Sequence, residues 1–353
     1  MNLSTIDLRE ALLKYWPALF AGLLTLALAS GAVWAVGESP LAVLLILFNS
    51  AFGGVENFSY TLFYATFILL TATAVTVALE AGLYNIGAEG QLYIGALFAV
   101  LWNQAVAALF QQQAGLSPAL SVLCLVGGTG AAFIGGAFFA ALAGYLKTYR
   151  QTHEVLSTIM LNFIAYAIVN WAILNPLKNV ETQNSETVWI IESLRIEKIW
   201  GQASPFLFVA LIIAVIVLGA ITRSWWGFRV RATGQSEPAA KLAGIGVKKT
   251  LLSAMALSGG IAGLAGFNEV YCNSYRLIDG FSPSYGFTGL TVALLARGKI
   301  TGLIAGALLF AGLQKGALDL DLETEYITRD LSVVIQALVL VGLCIGQSLK
   351  RRA

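Results

Sequence analysis

Three features of this sequence predict an all-α polytopic membrane protein of about ten transmembrane helices. Apolar residues make up 58% of the 353 and charged residues only 11%, whereas a soluble domain carries roughly 25% charged residues. Apolar runs close to the ~20 residues needed to cross a bilayer recur along the whole chain. Between them, basic residues collect in some segments and acids in others, as in a chain with a fixed orientation.

The runs lie at about 17–36, 61–80, 88–110, 119–145, 154–174, 205–222, 250–270, 284–297, 300–317 and 331–348. The first follows Arg9 and Lys14, and Ala27-Leu28-Ala29 resembles a cleavage site. It exceeds a signal core of about 7–15 residues and is read as a retained span. Residues 40–53 are apolar but short and suit an interfacial or re-entrant helix. The run at 284–297 is also short for a crossing.

Segment 223–249 has six basic residues and one acid, and the chain ends in Lys350, Arg351 and Arg352. Segment 318–330 has five acids and one base. Ten spans with both termini in the cytoplasm satisfy these biases. This gives one transmembrane domain over 1–353, with 1–16 and 223–249 on the cytoplasmic side.

Several chemistries are excluded. A net charge of +2 offers no basic field for nucleic acid. Cys124, Cys272 and Cys344 have neither disulfide nor metal spacing, and His153 is the single histidine. No Walker A sequence is present. No catalytic or metal-binding constellation is expected, which argues against an intramembrane enzyme.

Small residues recur every four positions at Gly128, Ala132, Gly136, Ala140 and Gly144, at Ser258, Ala262 and Gly266, and at Gly298, Gly302 and Gly306. This spacing lets helix backbones approach closely in lipid, and packing alone accounts for it.

One stretch breaks the apolar pattern. Residues 78–99 carry Glu80, Asn85, Glu89 and Gln91 with glycines at 82, 87, 90 and 95. Such a helix break at membrane depth is tolerated only where protein or a watery cavity covers the freed backbone, and transporters build central sites from discontinuous helices. Glu89 would then sit near a half-helix start, favoured by the dipole. The alternative is a tight cytoplasmic turn with Glu80 and Glu89 solvated. Asn162 is expected to face a partner helix or the pathway. Asn268 and Glu269 end a span, and Tyr271, Tyr275, Phe281, Tyr285 and Phe287 follow. These aromatics form an interfacial belt, or some stack on a flat solute at the mouth. In 237–244, Glu237 before Pro238 starts a short helix that Gly244 can stop, either a docking element or a solvated loop.

The stretches "GLYNIGAEGQLYIGALFA" (82–99), "HEVLSTIMLNFIA" (153–165) and "RATGQSEPAAKLAGI" (231–245) resemble permease subunits of ABC importers. The resemblance is to the nucleoside/simple-sugar branch, related to ribose and branched-chain amino acid permeases, and covers about residues 35–348. Family members commonly have Asn where this chain has His153, and Asn-Pro where it has Glu237-Pro238. The resemblance implies a five-plus-five inverted repeat with discontinuous helices, in which 287–312 could be the counterpart of the Gly-rich stretch. It implies a separate ABC ATPase that carries the ATP and Mg, so that this chain is no enzyme and holds no cofactor. It also implies a second permease subunit (a paralogue or a copy), an extracytoplasmic substrate-binding lipoprotein, and a place in a bacterial-type inner membrane.

The expected cargo is a small neutral polar solute, a purine or other nucleoside, with simple sugars and riboflavin as alternatives. The expected pathway residues are Asn85, Glu89, Gln91, Asn162, Asn268 and Tyr285. ATPase coupling falls to Arg229, Arg231, Glu237, Ala239, Ala240 and Gly244. The rival reading is an ion-coupled secondary transporter using Glu80 and Glu89.

Overall fold

Helix accounts for most of the computed structural model, which describes residues 27–110 and 116–324 and the isolated positions 23, 334, 337, 338 and 341. In order the helices are α1 (Ala27–Ala35), α2 (Pro40–Phe52), α3 (Val55–Glu80), α4 (Ala88–Leu109), α5 (Pro118–Arg150), α6 (Glu154–Leu174), α7 (Phe206–Arg223), α8 (Trp225–Gln235), α9 (Glu237–Leu242), α10 (Val247–Asn268), α11 (Tyr285–Ala296) and α12 (Ile300–Glu323). Among the described residues, seven helices are long and apolar enough to cross a membrane, or eight if the bent pair α1–α2 is one span.

The seven match expected runs in place. The expected run at 284–297 is a helix of only 12 residues, α11, or ~18 Å at 1.5 Å per residue, short of a ~30 Å hydrocarbon core. Residues 40–53 do form a helix, turned by 111° from α1. Most of the run at 331–348 and residues 17–22 and 24–26 of the run at 17–36 lie outside the described residues, as do segment 1–16 and the basic C-terminus. The acidic segment 318–330 is not all loop, because α12 continues to Glu323.

The chain divides into two compact units. In one, residues 27–64 and 309–324, Val33, Val43 and Leu320 form a buried cluster. Thr61 Oγ1 donates to the Ala51 carbonyl at 2.8 Å. Lys315 pairs with Asp319 one helical turn on and lies over the Tyr60 ring at 5.1 Å.

The second unit, Ala65–Leu308, centres on α3 and α10. Every residue from Ala65 to Ala78 and from Ser258 to Asn268 is buried. The α5 stripe packs on α10: a Cβ at Gly136 would meet the Gly259 carbonyl and Gly263, one at Gly144 would meet Met255, and one at Gly128 would meet Tyr271 and Phe267. Partner numbers fall as α5 numbers rise, so the two helices run antiparallel. The face of α10 that meets α5 is Gly259 and Gly263, one residue round from the stripe expected. Gly266 meets Leu92 and Ala96 of α4 instead, and Ser258 meets α3 through a 2.6 Å bond to the Ala74 carbonyl. A helix buried on every side gives no periodic signal of which neighbour each face meets.

The connection 175–205 straps across residues 271–279. Thr187 N donates to Leu277 O, Ile190 N to Tyr275 O and Ile196 N to Tyr271 O. The Arg276 guanidinium pairs with buried Glu186 at 3.3 Å and lies over Trp189 at 4.2 Å.

Candidate solute pathway

Two helices of the second unit start inside the bundle. After α3 ends at Glu80, residues 81–87 leave the helix and α4 begins at Ala88. Gly82 has φ +75, a left-handed conformation that glycine alone adopts without strain. A Cβ on it would lie 3.1 Å from Gly234 Cα of α8. From there the chain turns back among α3, α6 and α10, and Ala81, Leu83, Asn85 and Gly87 are buried.

A layer of amides holds this break. Asn85 Nδ2 donates to Gln91 Oε1 at 2.8 Å, and Gln91 Nε2 returns a bond to Asn85 Oδ1 at 2.9 Å. Asn85 Nδ2 also reaches Ser258 Oγ at 2.9 Å, and its Oδ1 accepts from Gly87 N. Asn162 of α6 closes the other side, with Nδ2 on the Ile86 carbonyl at 3.0 Å and Oδ1 accepting from Gly90 N at 2.9 Å. Backbone groups freed by the break are therefore met by side chains, as an interior without water requires.

The second start is α11. Its preceding residues 274–284 include Tyr275 and Ser284 with positive φ. Ser282 Oγ accepts from Tyr285 N at 3.1 Å, and Gly286 N donates to Glu89 Oε2. Glu89 thus sits at the N-terminal ends of both α4 and α11, where the two dipoles favour a negative charge. Gly286 has no room for a Cβ against Glu89 N, so the two starts touch backbone to backbone. Tyr285 stacks on Phe67 at 4.5 Å, and its carbonyl accepts from Thr71 Oγ1 at 3.0 Å.

Five of the expected pathway residues, Asn85, Glu89, Gln91, Asn162 and Tyr285, therefore share one buried layer. Asn268 does not. It lies at the far end of α10, where its Oδ1 accepts from Ser204 Oγ at 2.9 Å. Glu89 is 1% exposed, so the solvated-turn reading fails for it. Glu80 alone of the two acids keeps partial exposure. The belt reading fails for Tyr271 and Tyr285. Tyr271 is wholly buried with its hydroxyl on the Ala99 carbonyl, and Tyr285 is buried in the layer just described.

Sequence reasoning missed Ser258 and Gly286, whose roles depend on partners 173 and 197 residues away, and Ser282, which accepts from Tyr285 N at the start of α11. It also missed Tyr93, which packs on Phe281 at 4.4 Å and on Tyr166 at 4.8 Å. Among the described residues, no group of three or more His, Cys, Asp or Glu is placed to hold a metal ion.

The basic segment holds two helices where one was expected. Ser224 caps α8, accepting from Gly227 N at 3.0 Å, and Ser236 caps α9 through Ala239 N. Gly244, at φ +77, ends α9 as expected. Ala240 is buried, while Arg229 and Arg231 are half-buried and Glu237, Ala239 and Gly244 are exposed. Leu242 is 91% exposed. A Cβ on Gly234 would strike the Glu80 carbonyl and Gly82 N, so α8 rests directly on the break.

Comparison with known proteins agrees with this architecture. A family model described as "Branched-chain amino acid transport system / permease component" matches residues 57–344. The guanosine ABC transporter permease protein NupP of Bacillus subtilis is 33% identical over 323 residues, covering 89% of each chain. The glucose ABC transporter permease protein TsgB13 of Haloferax volcanii is 27% identical over 97% of this chain and 90% of its own. The nucleoside ABC transporter permease protein NupB of Lactococcus lactis is 32% identical over 80% of this chain and 78% of its own. No solved structure matches the chain.

Proposed function

Since the chain belongs to the permease-component family of the branched-chain amino acid transport system, and is therefore the non-catalytic membrane subunit of an ABC importer, we propose that it conducts a neutral nucleoside into the cytoplasm. Family membership implies its partners: an ATPase, a paired permease, a substrate-binding protein and the bilayer. Its setting is a multi-pass place in a bacterial-type inner membrane. The nucleoside reading is carried by the likeness to the guanosine permease over 89% of each chain. The similarity to a glucose permease keeps a simple sugar as the second reading.

In this reading both termini and the α8–α9 segment face the cytoplasm, and the buried layer around Asn85, Glu89, Gln91, Asn162 and Tyr285 is the closed point of the route. Two helices that start inside the bundle and meet at Glu89 and Gly286 support a five-plus-five inverted repeat, with α3–α4 and the α11 region in corresponding places. Asn268 joins the route on the strap side. ATP-driven movement of the partner ATPases displaces α8 and α9, through Arg229, Arg231, Glu237, Ala239, Ala240 and Gly244. Because Gly234 rests on Glu80 and Gly82, that displacement reaches the break directly. The solute then meets two packings of the bundle with different affinity, as any solute-linked switch requires.

The test is uptake into proteoliposomes holding the permease pair, the ATPase and the binding protein. Guanosine uptake that needs ATP, with glucose and riboflavin left outside, is the expected result. Uptake that persists without ATP and collapses with an ion gradient would establish the secondary-transporter alternative. A second expectation concerns α9 alone. Leu242→Asp leaves the unfolding temperature unchanged, because the side chain touches little of its own chain. It lowers solute-stimulated ATP hydrolysis about tenfold, roughly the effect of losing 1.4 kcal/mol at a docking contact. Unaltered hydrolysis would show that α9 does not dock on the ATPase.

A further inference from the structure

A pocket of about 320 Å³ opens where α3, α8 and α11 end or meet, lined by Thr76, Glu80, Arg231, Gln235, Leu294 and Arg297 among others. Its volume falls in the range of small-molecule sites. It is separate from the buried layer: Glu80 lies nine residues beyond Thr71, or ~13 Å along α3, and Thr71 is the α3 residue that bonds Tyr285.

Two groups in this pocket lack what burial and position call for. Glu80 is the last residue of α3, where the helix dipole opposes a carboxylate, and no ion pair among the described residues includes it. Arg231 gives one bond, from Nη2 to the Thr222 carbonyl at 3.2 Å, while its buried Nε has no partner. A buried donor without an acceptor is uncommon and calls for an explanation. An acceptor-only carboxylate and a guanidinium fork lining one pocket suit a neutral ligand that offers both donors and acceptors. A purine base offers both.

We propose that this pocket is a second binding site for the transported nucleoside, the last it occupies before release to the cytoplasm. Glu80 accepts from ring and amino N–H groups, and Arg231 donates to ring acceptors. The site rests on the function proposed above and adds where the solute leaves. One wall, Arg231, Gly234 and Gln235, belongs to α8. Movement of α8 therefore changes the pocket, so that its affinity depends on the state of the ATPase.

The test is equilibrium binding of radiolabelled guanosine to the permease–ATPase complex in nanodiscs, without ATP and without the binding protein. Wild type is compared with Glu80→Gln, Arg231→Gln and Leu294→Trp, which narrows the pocket from a half-exposed wall. Exposed Glu181→Gln in the strap is the control. Saturable binding that weakens about tenfold or more in the three pocket variants, and not in the control, is expected; tenfold corresponds to ~1.4 kcal/mol. Thermal unfolding of each ligand-free variant separates lost binding from lost folding.

Unchanged guanosine affinity in all three variants, or no binding by a complex that transports guanosine, overturns the proposal. Displacement of guanosine by millimolar inorganic phosphate would also overturn it, identifying an anion site instead. Should the wild-type complex transport glucose or riboflavin and not guanosine, the nucleoside reading itself has failed. The same comparison with that cargo then tests the pocket, with the same two outcomes.

Discussion

Gly136→Leu is expected to prevent accumulation of folded protein. A Cβ at this position would sit against the Gly259 carbonyl and 3.0 Å from both Cα and N of Gly263, all backbone atoms of α10 that no rotamer change can move. Overpacking a tight interior costs about 1–3 kcal/mol even for small additions, and a whole domain is stable by only about 5–15 kcal/mol. In lipid the penalty is harder to recover, because helix association there rests on close van der Waals contact rather than on the hydrophobic effect. The matched control is Gly130→Ala on the same helix, where nothing lies within 4 Å of the added carbon. It is expected to be neutral or to raise stability by up to about 1 kcal/mol, since glycine weakens a helix interior. Fluorescence-detected size exclusion after heating reads both variants. A normal unfolding temperature for Gly136→Leu would refute the backbone-to-backbone packing of α5 on α10.

The second large effect is at Glu89. Its carboxylate accepts from Gly286 N at the meeting point of two helix starts. A hydrogen bond to a charged group contributes about 1.5–3 kcal/mol, so Glu89→Ala is expected to lower ATP-driven uptake by at least tenfold, and up to about a hundredfold, at 1.4 kcal/mol per decade. Glu89→Gln keeps one acceptor for Gly286 N and loses the charge. It should retain uptake within about fivefold of wild type, because the bond weakens by roughly half without disappearing. The pair of variants separates two roles. Abolished uptake in Glu89→Gln, with ATP hydrolysis intact, would mean that the charge itself carries a coupling ion. Full uptake in Glu89→Ala would remove this residue from the route.

Much of the fold was legible because the bilayer reduces the choice of structure. A spanning segment must be long, apolar and helical, so run length located the seven long helices to within a few residues at most ends. Local rules located α9, since Glu237, Pro238 and Gly244 act within one turn of themselves. Local rules missed α8, where Arg229 and Arg231 suggested a basic loop, because Ser224 and a partly buried face make the helix. The length of α11 was visible as a short run. Its start inside the bundle was not, because that depends on Glu89 arriving from α4.

The candidate layer was half legible. Asn85, Glu89, Gln91 and Asn162 stood out because hydrocarbon rejects such side chains. What each one touches did not. Asn85 and Gln91 bond chiefly to each other and to Ser258, and Asn268 shares their chemistry yet lies with Ser204 at the far end of α10. Burial on all sides also hid the register of α10, whose Gly259 and Gly263 meet α5 while Gly266 meets α4.

By itself, then, the sequence determined that this chain is a bundle of membrane helices with a polar interruption after Glu80 and a basic segment before Val247. Both follow from the cost of placing charge and unpaired backbone in hydrocarbon, which composition alone expresses. Only the tertiary structure decided that the interruption is closed by Asn162 and Ser258, that Glu89 joins the starts of α4 and α11, and that Gly234 rests on Gly82. Those contacts join residues far apart in the chain, and their energies depend on distance and direction, which residue type and spacing do not carry.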